Sequence, residues 1–564
     1  MKYFFLPLLF VMLLGLVLRL AFLGQIPQGL HRDEAFLGYN AYSILKTGSD
    51  ISGNFLPIHL ESFYFSPNGY SYFSIPFILI FGLNSFSIRL ASFLFGSLTI
   101  PLIYFLSVKL FEKNKNKRLI SLLSALFLAI SPWHINLSRT ATDNVIVLFF
   151  ITLAVWIYVS SNKNVYLRVL SYLFFGINTF IYQAPRAFTP LLIPILFLFT
   201  SWMQKRNRGK LLLEIVLFLV IIIAPILIIL SNKNLTARIS DLSILNHPQT
   251  KLVLQEQITI DSVAGLPYPL IRLFHNKITG YFLTMSENYF KHFSFDFLFL
   301  DKGFPDRYRI PGSGLLYIFQ LPLILIGLFL LFKKEIRTGI FLLLWLLISF
   351  VGSALTFDDI PNLQRTLFAV VPFSILSAYG AVCFAHPASP LRRIEASRQV
   401  VNMHIKYLIF SLCILFLMFN FLYYIVQYYI QGKVYRPWYR QDGYKELVEN
   451  VNTYIPSYKY AIITSRETAP TIFFLFFGKY DPALFQNQTK NIDMEKSDHV
   501  SFANYRFSEE ECPLKVDPKT EALTGEKGIL YVNSSLCKDP KGARVIDVIK
   551  RADGSEVFRI LDLK

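Results

Sequence analysis

The chain has 564 residues, of which 54% are hydrophobic and only 16% are charged. A soluble protein carries about a quarter of its residues as Asp, Glu, Lys and Arg, so this composition argues against an ordinary soluble fold. The apolar residues are also clustered in long runs. Runs of about 20 apolar residues are what a helix needs to cross a bilayer core of roughly 30 Å. The sequence therefore predicts an integral membrane protein.

The net charge of +18 does not indicate a nucleic-acid-binding protein, because of where the charge lies. With the amino terminus inside, much of the Lys and Arg falls in short inner loops. The three short outer loops carry one arginine each, Arg139, Arg186 and Arg365. The positive-inside rule describes this distribution. It predicts a multi-pass protein with a cytoplasmic amino terminus, and the strongly apolar make-up predicts the plasma membrane or an equivalent as its location.

Eleven transmembrane spans are predicted from the apolar runs. They lie near residues 3–23, 88–110, 119–134, 143–160, 166–183, 187–203, 211–231, 313–332, 338–356, 364–384 and 405–430. Three regions then lie outside, namely the loops 24–87 and 232–312 and the tail. A short apolar stretch with an internal proline, 70–81, predicts a helix in the membrane interface.

We predict two domains. Residues 1–430 form an all-α transmembrane module of about eleven helices, and residues 431–564 form a small extracytoplasmic α/β domain. In the tail, an oxidising compartment would allow Cys512 and Cys537 to pair.

The elements of the tail follow from periodicity and turn residues. The pattern predicts an amphipathic helix over 443–457, strands over 459–464 and 528–532, and a hairpin whose strands 545–550 and 557–561 flank an Ala-Asp-Gly-Ser turn.

Charged residues gather at the outer ends of several predicted spans, where charges near membrane depth are functional candidates. Asp33 and Glu34 form an adjacent acidic pair about ten residues past the first span. Arg139 and Asp143 share the next outer turn, and Arg186 follows Tyr182 in the turn after that. Taken singly, each has an ordinary interpretation as a loop charge, a helix N-terminal carboxylate or a snorkelling arginine.

Taken together, these residues suit sugar transfer from a lipid phosphate. Such a donor already has a good leaving group, so only the acceptor hydroxyl needs a base, and a carboxylate serves. The departing phosphate needs cations, and arginine recognises it with a planar fork. The same set suits other handling of lipid phosphates. A transporter or flippase of lipid-linked sugars and a non-catalytic relative therefore stay as alternatives.

At these residues the sequence resembles the GT-C glycosyltransferases, in particular the protein O-mannosyltransferase and aminoarabinose transferase type, which is similar to glycosyltransferase family 39. The resemblance is carried by short motifs in matching order. They are Asp33-Glu34, the stretch 81–90, Ser131-Pro132-Trp133-His134 with Ser138-Arg139 and Asp143, and Tyr182 with Arg186.

The resemblance implies an inverting, single-displacement transfer from a polyprenyl-phosphate sugar to an acceptor hydroxyl of a lipid, glycan or protein. It implies that Asp33 is the general base, that Glu34 supports it, and that Asp143 is the second acidic residue of the site. The implied donor-phosphate ligands are Arg139, Arg186, Arg365 and Tyr182.

Two points stay open at this stage. Related enzymes carry a Lys-Pro-Pro-like segment before the interfacial helix, whereas residues 65–70 read Phe-Ser-Pro-Asn-Gly-Tyr without a lysine. Either another cation replaces it or the chain is a divergent or inactive relative. A divalent cation, Mg²⁺ or Mn²⁺, is an option at Asp33 and Glu34, although a metal-free base mechanism needs none.

Overall fold

The computed structural model describes residues 2–60, 66–161, 164–203, 208–231, 242–385, 399–494, 499–516 and 523–563. Parts of three predicted inner loops, at 162–163, 204–207 and 386–398, lie outside these residues, as does the start of the predicted outer loop 232–312. The described chain is mostly helical and carries a small sheet near its carboxyl end.

The helices are numbered in chain order. They are α1 (Lys2–Leu20), α2 (Arg32–Thr47), α3 (Gly69–Phe81), α4 (Ser85–Leu110), α5 (Lys117–Ile130), α6 (Pro132–Ser138), α7 (Asp143–Ser160), α8 (Val165–Ile181), α9 (Pro185–Met203), α10 (Arg208–Leu217), α11 (Ala224–Ser231), α12 (Pro248–Val263), α13 (Tyr268–Phe274), α14 (Lys277–Lys291), α15 (Phe295–Phe299), α16 (Gln320–Lys334), α17 (Ile336–Ile348), α18 (Val351–Ala354), α19 (Val370–Ala385), α20 (Gln399–Tyr429), α21 (Tyr444–Tyr454), α22 (Pro470–Phe477) and α23 (Pro482–Thr489). The strands are β1 (His59–Leu60), β2 (Ser66–Pro67), β3 (Tyr460–Thr464), β4 (Tyr505–Ser508), β5 (Ile529–Ser534), β6 (Ala543–Lys550) and β7 (Glu556–Leu563).

The chain folds into two compact units, each assembled from separate stretches of sequence. The helical unit comprises Met1–Arg19, Phe95–Ser138 and Asn144–Gln427. The mixed unit comprises Leu20–Leu94, Arg139–Asp143 and Tyr428–Lys564. In this division the first predicted outer loop groups with the tail, whereas the sequence predicts that this loop belongs to the transmembrane module.

Several helices have the length and composition of a membrane span. Within the described ranges, five qualify fully, namely Ser85–Leu110, Asp143–Ser160, Leu211–Ser231, Ile336–Ala354 and Ile414–Lys433, and the bent pair α5 and α6 would make a sixth. Shorter apolar helices are Leu6–Leu20, Gly69–Phe81, Val165–Ile181, Pro185–Ser201 and Leu367–Cys383. The helical, apolar character of the chain is therefore confirmed, and the count of eleven spans stays a prediction.

One predicted span is not a single helix. The span predicted near 119–134 corresponds to two helices, α5 and α6, which are bent by 56° relative to each other. Pro132 has no N–H to give the carbonyl of Leu128, its helical partner four residues earlier. Instead, the buried guanidinium of Arg19 donates to the carbonyls of Leu128 and Ala129, at 3.1 and 2.9 Å. The carbonyl groups left without helical partners at the break are thus satisfied by a side chain of the same helical unit.

Another predicted span begins later than expected. The apolar run predicts a helix from residue 313, yet α16 starts at Gln320. The backbone before it bonds elsewhere, since the N–H of Leu316 donates to the carbonyl of Leu298 at 2.8 Å. The side chain of Gln320 accepts from the N–H of Tyr317 at 2.9 Å, which fixes the chain ahead of the helix.

The tail contains a five-stranded sheet of order β4-β3-β5-β7-β6. Strand β3 pairs in parallel with β4 and β5, whereas β7 is antiparallel to β5 and β6. The strands and the hairpin predicted in the tail are therefore confirmed. The predicted amphipathic helix is α21 with a following 3-10 turn, Ile455–Ser457. One hydrophobic cluster of the sheet is formed by Leu514, Ile529, Tyr531 and Leu561, all buried.

The two cysteines of the tail form a disulfide. Cys512 and Cys537 are bonded, with a sequence separation of 25 residues, which confirms the predicted pairing. The bond joins the segment after β4 to the segment after β5. It therefore ties together two stretches of the sheet that are distant in sequence.

Replacing Cys512 and Cys537 by serine should lower the free energy of unfolding of the mixed unit by about 3 kcal/mol, because the crosslink restricts the unfolded chain. Thermal unfolding of the full chain in detergent, with and without reductant, measures the effect. The control is Cys383→Ser, which removes a cysteine that is not disulfide-bonded. A reductant that destabilised the double variant as much as the wild type would contradict the expectation.

Candidate functional site

The acidic pair predicted from the sequence lies in the first turn of α2. Asp33 and Glu34 follow the N-cap residue His31, whose Nδ1 accepts the backbone N–H of Asp33 at 3.1 Å. Negative charge in the first turn of a helix is favourable, because the unpaired N–H groups there carry partial positive charge. The helix ends at Gly48 in the left-handed conformation, φ 73°, with its N–H bonded to the carbonyl of Ile44.

Glu34 is paired with an arginine from the start of α4. Arg89 Nε lies 2.9 Å from Glu34 Oε2, and Arg89 Nη2 lies 3.2 Å from Oε1. The two side chains are 1% and 0% exposed. This is the two-pronged geometry in which a guanidinium and a carboxylate bind most strongly. Both charges are buried, so each depends on the other for its compensation.

The remaining N–H groups of Arg89 hold the loop that precedes α2. Nη1 donates to the carbonyls of Leu23 and Pro27, at 3.2 and 3.1 Å, and Nη2 donates to the carbonyl of Gly29 at 2.9 Å. A guanidinium has five N–H donors, and in Arg89 all five have acceptors. The ion pair therefore also fixes the backbone between α1 and α2.

The turn that precedes α7 is attached to the same carboxylate. The N–H of Ala141 donates to Glu34 Oε2 at 2.9 Å, and Ser92 Oγ bonds to both the carbonyl and the N–H of Thr142 at 3.2 Å. Burial by itself raises the pKa of Glu34, but the charge and hydrogen bonds of Arg89, with that of Ala141, hold it below its usual range. Glu34 is thus ionised, and its carboxylate is bound by Arg89 and Ala141.

Asp33 has a different environment from its neighbour. Its side chain is 34% exposed, whereas that of Glu34 is 1% exposed. Asp33 Oδ2 lies 3.4 Å from His31 Nδ1. The same nitrogen accepts the backbone N–H of Asp33. Of the two acids, Asp33 is the one that a solute can reach.

Arg139, predicted as a donor-phosphate ligand, is fully buried in the mixed unit. Its Nη2 donates to the carbonyls of Ala21 and Ile26, at 2.6 and 2.9 Å, and its Nε donates to Tyr428 Oη at 3.1 Å. The guanidinium also lies over the rings of Tyr428 and Tyr429, at 5.3 and 5.0 Å. Through these contacts, Arg139 joins the loop that follows α1 to the end of α20.

Asp143, the second acid of the prediction, is the first residue of α7 and is half-buried. It closes the segment Arg139–Asp143, which belongs to the mixed unit and bonds to Glu34 through Ala141. The structure therefore brings Asp33, Glu34, Arg139 and Asp143 into one compact unit, although about a hundred residues of sequence separate the two halves of the set.

The other predicted phosphate ligands lie in the helical unit. Arg186, in the first turn of α9, donates from Nε to the carbonyl of Thr179 at 3.2 Å, and its buried Nη1 has no hydrogen-bond partner among the described atoms. Arg365 bonds to Thr356 Oγ1 and to the carbonyl of Asp358, both at 2.7 Å, within its own loop. Arg186 therefore keeps a donor that its surroundings do not use.

Tyr182, the last predicted phosphate ligand, follows the end of α8 in extended conformation and is half-buried. Its backbone N–H donates to the carbonyl of Asn178 at 3.2 Å, which closes the last turn of that helix.

The arrangement of Glu34 does not favour a metal at the acidic pair. Both of its oxygens accept from Arg89, and Oε2 also accepts from Ala141. Within the part of the chain that the structure describes, no group of three or more His, Cys, Asp or Glu side chains could hold a metal ion.

Sequence reasoning missed the partner of Glu34. Arg89 stands in an apolar helix, between Ile88 and Leu90, and a charge in such a run must be paired when it is buried. That signal identifies Arg89 as important, but it does not say which carboxylate pairs with it.

Comparisons with known proteins agree with this architecture. Residues 66–229 match the family model described as dolichyl-phosphate-mannose-protein mannosyltransferase. No curated protein matches the sequence.

Among solved structures, ArnT from Cupriavidus metallidurans bound to undecaprenyl phosphate is similar over 99% of this chain and 97% of its own, with 13% identity and a TM-score of 0.52. The apo oligosaccharyltransferase of Archaeoglobus fulgidus is similar over 84% of this chain, with 14% identity and a TM-score of 0.50. For AglB from the same organism, in complex with an inhibitory peptide and a dolichol-phosphate, the identity is 14% and the TM-score 0.49. This chain spans 64% of the length of both oligosaccharyltransferase structures.

The fold is that of the GT-C glycosyltransferases. The resemblance to the protein O-mannosyltransferase and aminoarabinose transferase type, similar to glycosyltransferase family 39, is confirmed by the matched family model and by ArnT.

Replacing Glu34 by glutamine should lower the free energy of unfolding by about 3–5 kcal/mol, because the buried charge of Arg89 is then left uncompensated. Thermal unfolding in detergent measures the change. The control is Glu449→Gln, which removes an exposed carboxylate 3.9 Å from Lys445 in α21. That change should cost less than about 0.5 kcal/mol. Equal losses in the two variants would contradict the importance of the buried pair.

The stability difference between wild type and Glu34→Gln should depend on pH. The folded pKa of Glu34 is lowered, so the stabilisation is fully present above the usual carboxyl pKa and is lost as the pH falls through the lowered value. The difference in melting temperature should be constant above about pH 5 and shrink below about pH 4. A difference that grew on acidification would contradict the assigned charge state.

Proposed function

We propose that this chain is a membrane glycosyltransferase that transfers a sugar from a polyprenyl-phosphate donor to an acceptor hydroxyl on the outer face of the membrane. Asp33 acts as the general base. The acceptor is a lipid, a glycan or a protein.

The observation that carries the proposal is the division of roles between two adjacent acids. Glu34 is buried and bound by Arg89, whereas Asp33 keeps 34% of its side chain exposed on the same helical turn. A general base has to come within hydrogen-bonding distance of the proton that it removes. The exposed part of the Asp33 side chain supports this role, and we infer that Glu34 supports it by holding the turn in place.

The proposed reaction is a single displacement with inversion. The acceptor hydroxyl gives its proton to the Asp33 carboxylate, and its oxygen bonds to the anomeric carbon of the sugar. The bond between that carbon and the phosphate oxygen breaks, and the polyprenyl phosphate leaves with the electron pair. The phosphate is a good leaving group, so no acid is required to protonate it.

The donor class is supported by what the similar proteins bind or use. ArnT is seen with undecaprenyl phosphate, and the matched family is named for a sugar carried on dolichyl phosphate. The candidates for the phosphate ligand are Arg139, Arg186, Arg365 and Tyr182. Among the three arginines, Arg186 is favoured by its buried Nη1 without a described partner, whereas Arg139 and Arg365 bond to neighbouring carbonyls and hydroxyls.

The orientation is supported by two features of the chain. The predicted inner loops hold most of the loop Lys and Arg, as the positive-inside rule requires for a cytoplasmic amino terminus. The tail carries the disulfide between Cys512 and Cys537, a bond that persists in oxidising compartments. We therefore propose that the tail lies outside the cytoplasm, and the strongly apolar composition of the chain supports a location in the plasma membrane.

Replacing Asp33 by asparagine should reduce transfer by about a hundredfold to ten-thousandfold, because asparagine cannot accept the proton of the acceptor. The measurement is the transfer of label from a panel of synthetic polyprenyl-phosphate sugars to membrane lipids and proteins, at equal expression and equal melting temperature.

The control for that experiment is Glu449→Gln, which removes an exposed carboxylate of the same unit and should leave transfer unchanged. Wild-type rates in Asp33→Asn would overturn the role of Asp33. Absence of transfer from every donor by the wild-type chain would favour a flippase of lipid-linked sugars or a non-catalytic relative.

A further inference from the structure

We propose that Gln441 is a positioning residue for Asp33, so that the tail completes the catalytic centre rather than serving only as an accessory domain. The kinetic part of this inference rests on the proposed function. The structural part rests on contacts within the mixed unit, which contains both residues.

The first contact is a helix cap supplied from far along the chain. Gln441 Oε1 accepts the backbone N–H of Arg32, the first residue of α2, at 2.9 Å. The N–H groups of the first helical turn have no partner inside the helix and need one from outside. His31 satisfies the N–H of Asp33, and Gln441 satisfies the one before it. The turn that carries Asp33 is thus held by one local cap and one cap from 409 residues away.

The backbone of Gln441 is held in an unfavourable conformation. Its φ and ψ are 50° and 43°, the left-handed region in which an L side chain is disfavoured. Gly443, two residues later, has φ 102°, where glycine removes that cost. In this conformation the side chain of Gln441 contacts α2, through the bond from Oε1 to the N–H of Arg32.

Asp442, the next residue, holds the same segment of the tail against the chain that leads into α2. Asp442 Oδ1 accepts from Gln28 Nε2 at 3.2 Å, and Oδ2 accepts from the N–H of Ala552, in the hairpin turn, at 2.7 Å. Gly29 is so close to this segment that a Cβ there would lie 2.8 Å from the carbonyl oxygen of Arg440. The segment 440–442 therefore lies directly against the chain that leads into α2.

The tail also holds the far end of α2, which offers a matched comparison. Gln486 Nε2 donates to Ser43 Oγ, Thr47 Oγ1 and the carbonyl of Asp50, at 3.0, 3.1 and 2.7 Å. This contact is about three turns from Asp33. Two glutamines of the tail thus bind the same helix, and only Gln441 binds the turn that carries the proposed base.

This geometry predicts a selective kinetic effect. A catalytic group has to be held within about half an ångström of its productive position, and a misplacement of about 1 Å costs on the order of a hundredfold in rate. Without the Gln441 oxygen that accepts the N–H of Arg32, the first turn of α2 loses a hydrogen bond, and Asp33 is held less accurately in position. The donor site need not change, so the loss should fall on kcat rather than on KM.

The experiment compares Gln441→Leu, Gln441→Glu and Gln486→Leu in the full-length chain. Gln441→Leu should lower kcat by about 10- to 100-fold with an unchanged KM for the donor. Gln441→Glu keeps an acceptor oxygen and adds favourable negative charge at the helix N-terminus, so it should restore most of the activity. Gln486→Leu should lower the melting temperature but leave kcat within about twofold.

Hydrogen–deuterium exchange gives a readout that does not need turnover. The amides of residues 32–35 should exchange about fivefold faster in Gln441→Leu, as expected for the loss of a cap, and at the wild-type rate in Gln486→Leu. The same exchange and the same kcat in all three variants would overturn the proposal, as would equal kcat losses in the two leucine variants. If the wild-type chain transfers no label, the proposed function is overturned, and the exchange rates alone decide whether Gln441 caps this turn.

Discussion

The ion pair between Arg89 and Glu34 is the constraint on which the mixed unit depends. Two charges that are almost completely removed from solvent can persist only if each neutralises the other and every remaining donor finds an acceptor. Arg89 meets this requirement with five hydrogen bonds, three of them to carbonyls of the loop before α2. Glu34 meets it with a further bond from Ala141. Three stretches that are distant in sequence are therefore fixed around one carboxylate.

The same pair explains how adjacent acids acquire different roles. Consecutive residues of a helix point about 100° apart, so Glu34 can face the interior while Asp33 faces outward. The interior position binds an arginine and stabilises the turn, and the outward position is left for chemistry. Glu34 orients the turn on one side and the caps at Arg32 and Asp33 hold it on the other, so the backbone that carries the outward carboxylate is fixed.

Several charged groups in the described apolar helices form hydrogen bonds that other buried polar groups need. Arg19 compensates for the carbonyls freed where α5 ends before Pro132. In the helical unit, Arg168 pairs with Glu214 at 3.2 Å, and Glu214 also accepts the hydroxyls of Tyr158 and Tyr172 at 3.0 and 2.9 Å. In a medium of low dielectric constant, such networks favour a single arrangement because partial satisfaction is costly.

The sequence by itself determined the features that depend on local pattern: apolar runs of membrane length, the strands and hairpin of the tail, and the positions of Asp33 and Glu34 after the first helix. It did not determine the break before Pro132, the late start of α16, or the pairing of Arg89 and Gln441 with α2. Periodicity and turn propensity act between residues a few positions apart. The pairing of buried charges is decided only when the chain folds and distant segments meet. The same holds for the side chain that caps a helix 409 residues away.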